Sequence, residues 1–141
     1  MKLLIITILF SFISFQKSNA QDSKKLKAEI MFETNMHNFK KIEFNDSESY
    51  FDFKFKNIGK APLTISKIET TCGCTIAEKP EAPIAKKAKD YIRIWYDSKR
   101  VGKFSKTITV YSDAKNSPSQ LMIKGEVKPE DKSKKVENNK K

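Results

Sequence analysis

The sequence predicts an all-β chain, an antiparallel β-sandwich of about seven strands, and three observations carry that prediction. Short stretches alternate apolar and polar residues with a period of two, which puts one side of a strand in a core and the other in water. Clusters of Asn, Asp, Ser, Gly and Pro separate these stretches at short intervals. No segment sustains a helical period. A small β-barrel is the runner-up architecture, and periodicity leaves the strand order open.

The chain opens with Lys2, an apolar run from Leu3 to Phe15, and the small residues Ser18 and Ala20. This order of charge, apolar run and small-x-small site predicts a signal peptide over residues 1–20, with the mature chain starting at Gln21. The apolar run falls short of the ~20 residues that a bilayer-spanning helix needs, so cleavage is favoured over anchoring. The residue directly after the cut is Gln21 and not a cysteine, and no later run is apolar enough to span a membrane. An exported protein, periplasmic or extracellular, is expected, with no transmembrane segment in its mature form.

Residues 21–27 are polar and charged and are expected to be flexible. Ala28 to Glu33 alternates Ala28, Ile30 and Phe32 against Glu29, Met31 and Glu33, a first strand. Asn35 to Asn45 has irregular apolar positions and reads as a connection with a short strand near Lys41 to Phe44. Tyr50 to Lys56 is the clearest strand. Phe51, Phe53 and Phe55 share one face, and Asp52, Lys54 and Lys56 the other. Asn57 to Pro62 supplies turn chemistry, with Asn and Gly tolerant of positive φ.

Leu63 to Ile68 is the next strand, and the three-residue step from Ile65 to Ile68 points to a bulge or a strand end. Ala77 to Lys89, with Pro80 and Pro83, reads as a loop with a possible edge strand at Pro83 to Ala85. Asp90 to Tyr96 sets Ile92, Ile94 and Tyr96 inward and Tyr91, Arg93 and Trp95 outward. Phe104 to Tyr111 buries Phe104, Ile108 and Val110. The last strand buries Leu121, Ile123 and Val127. The domain is thus expected over residues 28–127. Residues 128–141 hold too little apolar surface to offset ordering entropy and are expected to be a disordered charged tail.

The residues Phe53-x-Phe55-x-Asn57-x-Gly59-x-x-Pro62-Leu63-x-Ile65, followed by Cys72-Gly73-Cys74-Thr75, resemble the DUF1573 family. Gly102-x-Phe104-x-Lys106-Thr107-Ile108-x-Val110, Leu121-x-Ile123-x-Gly125-x-Val127 and His37-x-Phe39 extend the likeness across His37 to Val127. The resemblance implies an immunoglobulin-like, PapD/ASH-like sandwich in exported bacterial proteins, and it implies no reaction. Three turn positions depart from the family pattern. Lys40 stands where Gly is usual, Lys86-Lys87 where Pro-Gly is usual, and Asp113 where Asn is common.

The formal net charge is +11, and Lys2 and Lys17 of the expected signal account for two of those charges, leaving +9. The lysines are spread and interleaved with acids, and only Arg93 and Arg100 are arginines, so a solvated lysine-rich surface is favoured and nucleic-acid binding is not. Catalysis lacks residues. There is one histidine, His37, and no phosphate loop, nucleophile elbow or His-Glu zinc motif. No cofactor is expected.

Cys72 and Cys74, the only cysteines, admit three readings. A structural disulfide suits an exported chain. In an extended strand residues i and i+2 lie ~6.6 Å apart, near the upper limit for the bond, so pairing needs a turn at Gly73. A bond in so small a ring is easily reduced, which opens a redox role. A soft-metal site for Cu(I), with His37 or a methionine as a further ligand, is the second reading. Two buried, inert thiols are the third. Structural or buried roles rank first, redox second and metal third. Tyr91, Arg93 and Trp95 form a candidate recognition face, unless the Pro80 to Lys89 loop covers them. The sequence therefore favours an exported, non-enzymatic binding or scaffold module whose partner is an envelope protein or polymer. The alternative is a thiol redox or Cu(I)-handling protein acting through Cys72 and Cys74.

Overall fold

A computed structural model describes residues 26–131, so the expected signal peptide, residues 21–25 and residues 132–141 lie outside the described residues. Eight strands form: β1 (Ile30–Phe32), β2 (Met36–Ile42), β3 (Tyr50–Asn57), β4 (Ile65–Thr70), β5 (Thr75–Glu78), β6 (Lys89–Tyr96), β7 (Gly102–Ser112) and β8 (Ser119–Val127). They make two four-stranded sheets, β1-β3-β6-β5 and β2-β8-β7-β4. The β2–β8 pair is parallel, and every other pair is antiparallel, so the second sheet is mixed rather than purely antiparallel. The described residues contain no helix.

The core lies between the sheets and follows the alternations in the sequence. Phe53, Phe55, Ile92 and Ile94 from the first sheet meet Ile108, Val110, Leu121 and Ile123 from the second, and all are fully buried. Tyr96 stacks on Phe104 with ring centroids 3.6 Å apart. Gly125 sits opposite Phe104, and a Cβ there would come within 2.9 Å of that ring and 3.1 Å of Phe39. The missing side chain leaves space for the Phe39–Phe104 contact.

Three sequence expectations change. The stretch around His37 is a seven-residue strand, because a register shift between Asn38 and Lys41 moves the inward positions from His37 and Phe39 to Ile42 and hides the alternation. Lys40, at the bulge, has φ 59°. Ala77 and Glu78, read as the start of a loop, end the strand Thr75–Glu78, and the edge pairing expected at Pro83 to Ala85 is present as a bridge from Ile84 to Leu63. Neither Asn57 nor Gly59 has a positive φ. Asn57 ends β3 fully buried, and its side chain donates to the carbonyls of Ala61 (2.8 Å) and Ile84 (3.1 Å) and accepts from the Gly59 amide (3.0 Å).

The ordered chain also runs past both expected domain limits. The Lys60 amide donates to the Lys27 carbonyl at 2.9 Å, and the Lys128 amide donates to the Ile42 carbonyl at 2.9 Å. The bulge expected in the Leu63 strand is present as a register shift between Ile65 and Lys67.

Candidate functional site

The strand register decides which outward residues meet. Tyr50 on β3 lies opposite Trp95 on β6, and Trp95 lies opposite Ile76 on β5. One residue pair along, Asp52 faces Arg93, and Arg93 faces Glu78. Tyr91 faces Lys54 in the next row. The outer surface of the first sheet therefore carries a row of Tyr50, Trp95 and Ile76 beside a charged row. Ile76 is 67% exposed and Tyr50 39%, and Trp95 is half-buried.

Arg93 holds this surface together. Its Nε and Nη2 donate to the two carboxylate oxygens of Asp52 at 2.6 and 2.8 Å, a bidentate pair that fixes the guanidinium plane. The guanidinium carbon lies 4.4 Å from the Tyr50 ring centroid, 5.3 Å from Tyr91 and 5.6 Å from Trp95. The hydrogen bonds from Arg93 hold the Asp52 carboxyl below its usual range, and the same pairing raises the arginine. Both groups stay charged at neutral pH.

The Pro80 to Lys89 loop does not cover these aromatics. It is tied to the opposite end of the sandwich, where Ile84 pairs with Leu63, the Asn57 side-chain amide donates to the Ile84 carbonyl at 3.1 Å, and the Asn57 backbone N–H donates to the Ala88 carbonyl at 3.0 Å. Trp95 and Ile76 instead border an open depression of about 540 Å³, shared with Asn45, Asp46 and Ser98. The sequence signalled Tyr91, Arg93 and Trp95. It did not signal Tyr50, Asp52 and Ile76, which join them only through the β3–β6–β5 register.

Cys72 and Cys74 form a disulfide, with Cα atoms 5.3 Å apart in the turn between β4 and β5. The turn at Gly73 brings the pair inside the range that an extended strand would strain. Cys74 is buried, Cys72 half-buried and Gly73 exposed. The Thr70 hydroxyl donates to the Cys72 carbonyl at 3.1 Å, the Asp97 amide donates to the Cys74 carbonyl at 2.9 Å, and the Cys74 amide donates to Cys72 Sγ at 3.3 Å.

His37 is not brought to this pair. It lies on β2, at one edge of the second sheet, and the disulfide follows β4, at the other edge, with β8 and β7 between them. Three strand spacings amount to roughly 14 Å. His37 stacks on Phe51 at 3.7 Å and meets Phe39 edge-on at 4.6 Å, and burial lowers its pKa. Its surroundings are those of a packing residue. Among the described residues no three His, Cys, Asp or Glu side chains gather where they could hold a metal ion.

The fold recurs in solved structures at low sequence identity. A protein of unknown function from Porphyromonas gingivalis W83 superposes with a TM-score of 0.60 at 14% identity, covering 70% of this chain and 46% of that one. The chain thus spans less than half of that protein. The ASH/PapD-like domain 7 of human CEP192 superposes with a TM-score of 0.61 at 8% identity, covering 75% of this chain and 89% of that domain. These likenesses show the fold alone, an immunoglobulin-like β-sandwich. No curated protein matches the sequence. The model of the family described as a protein of unknown function, DUF1573, matches residues 30–127, and the chain belongs to that family.

Proposed function

We propose that this chain is an exported, non-enzymatic module that binds an envelope protein or polymer through the outer face of its first sheet. The observation that supports this most is the row of Tyr50, Trp95 and Ile76, solvent-facing beside an arginine already oriented by Asp52. Tyr, Trp and Arg are the residue types enriched at interfaces, where they give large contact area at small entropic cost. A pre-oriented guanidinium also loses little freedom on binding. The signal-like start of the sequence supports an envelope location.

Trp95 is the sole tryptophan, so its fluorescence reports on this face directly. Titration with envelope extracts, split into protein and polymer fractions, is expected to shift the Trp95 emission with one of them. In a pull-down, an Ile76→Ser, Tyr50→Ala double variant is expected to lose the captured partner without a change in fold. Full capture by the variant, with Trp95 emission unmoved, would place binding elsewhere.

A further inference from the structure

We propose that the Cys72–Cys74 disulfide is a thiol–disulfide exchange centre for dithiols, entered at Cys72. The bond does little to hold the fold. It closes a ring around one intervening residue, and so short a loop restricts the unfolded chain very little. The turn has other fastenings: Thr70 to the Cys72 carbonyl, Asp97 to the Cys74 carbonyl, and the Thr75–Tyr96 and Ile76–Trp95 pairs of β5 and β6. A disulfide placed where the backbone is already held has a chemical use more than a structural one.

The two cysteines differ in exposure. Cys74 is 2% exposed and packs in the core, whereas Cys72 is half-buried. Next to it Gly73 is exposed, and a Cβ built there would meet nothing within 4 Å. The turn is therefore open at Gly73, and Cys72 is the more exposed of the two cysteines beside it. The surrounding donors suit the charges that exchange creates. A disulfide sulfur carries no proton, so at 3.9 Å from Cys74 Sγ the Thr75 hydroxyl can only donate, which favours negative charge on Cys74 as it leaves. The Cys74 amide does the same for Cys72 Sγ at 3.3 Å.

The exchange runs in two steps. One thiolate of a dithiol attacks Cys72 Sγ, the Cys72–Cys74 bond breaks, and its electron pair leaves on Cys74 Sγ, which takes a proton from solvent. The second thiolate of the dithiol then attacks its own first sulfur, and the mixed-disulfide pair leaves on Cys72 Sγ, which is protonated in turn. The dithiol is oxidised to a disulfide, and the protein gains two electrons and two protons. The substrate class is a pair of neighbouring thiols on a peptide or protein.

The test uses the full chain, without denaturant, mixed with a synthetic peptide carrying two reduced cysteines. Acid quenching, alkylation and mass spectrometry count the thiols. One peptide disulfide is expected per protein disulfide lost, at a rate within about tenfold of that in urea, where access is complete. A native rate slower than this would make the bond a buried structural one and overturn the proposal. With glutathione in place of the peptide, the trapped adduct is expected on Cys72. With oxidised glutathione, whose own disulfide supplies the oxidation and releases one reduced glutathione, Cys74→Ser is expected to form the adduct on Cys72 and Cys72→Ser to form none. An adduct on Cys74, or equal adducts on both, would overturn entry at Cys72, and the wild-type rates decide the question if a variant fails to fold.

Discussion

Lys40 and Lys87 hold left-handed backbone, with φ of 59° and 67°, at two of the positions where the family pattern has glycine. A Cβ in that region costs about 1–2 kcal/mol, and the greater freedom of glycine in the unfolded chain returns about 0.4–1 of it. Lys87→Gly is therefore expected to stabilise the domain by up to about 1 kcal/mol, seen as a rise of a few degrees in melting temperature. Asp113 departs from the pattern without that effect. Its Oδ1 accepts from the Thr64 amide at 2.9 Å, a bond that an asparagine oxygen would make as well. Gly59 requires space rather than a special φ. Ile58 and Lys60 donate to the carbonyls of Glu29 and Lys27, so the two chains run close on either side of it. A Cβ at Gly59 would lie 2.3 Å from the Glu29 nitrogen and 2.5 Å from the Ala28 carbonyl carbon, both backbone atoms. Gly59→Ala is expected to lower stability by about 1–3 kcal/mol or more in denaturant unfolding, since the whole β1 approach must move. Asp52 adds a pH dependence. Its folded pKa lies below the ordinary 3.8, so its stabilisation is complete above that value and fades as pH falls through the folded pKa. Asp52→Asn is expected to lower the melting temperature at pH 7, and by less at a pH well below 3.8. An equal deficit at both would assign the loss to packing.

Strand β3 was legible because it alternates without interruption, and its burial repeats the sequence: Phe53, Phe55 and Asn57 buried, Lys54 exposed. Phe53→Ala is expected to cost about 3–5 kcal/mol, while Lys54→Ala leaves the unfolding midpoint almost unchanged. Similar losses from both would contradict the facing of the strand. Strand β2 was legible only as scattered apolar positions, since the bulge at Lys40 shifts its phase by one residue. Strand β5 offered four residues beside the cysteines, too few to display a period, and its place depends on pairing with β6. The same pairing brings Ile76 to Trp95. At the far edge of that sheet, β1 has only three residues, and Asn116 from the β7–β8 turn completes it. The Asn116 amide donates to the Ile30 carbonyl at 2.8 Å and its oxygen accepts from the Ile30 amide at 3.2 Å.

Across the whole molecule, the sandwich encloses one core and presents two separate chemical features: the aromatic face of the first sheet and the disulfide turn that joins β4 of one sheet to β5 of the other. The all-β class and the inward residues of β3, β6, β7 and β8 were readable in the sequence, as was the turn at Gly73 that a disulfide would require, but not the choice of disulfide over free thiols or a metal site. Each depends on residues close together in the chain, where a period of two fixes the facing of side chains and a glycine between two cysteines lets the backbone turn. The strand order, the parallel β2–β8 pair, the meeting of Tyr50, Trp95 and Ile76, and the separation of His37 from the cysteines were decided only by the tertiary structure. Alternation states which face a residue takes but not which strand lies beside it, and that choice is made by packing among segments far apart in sequence.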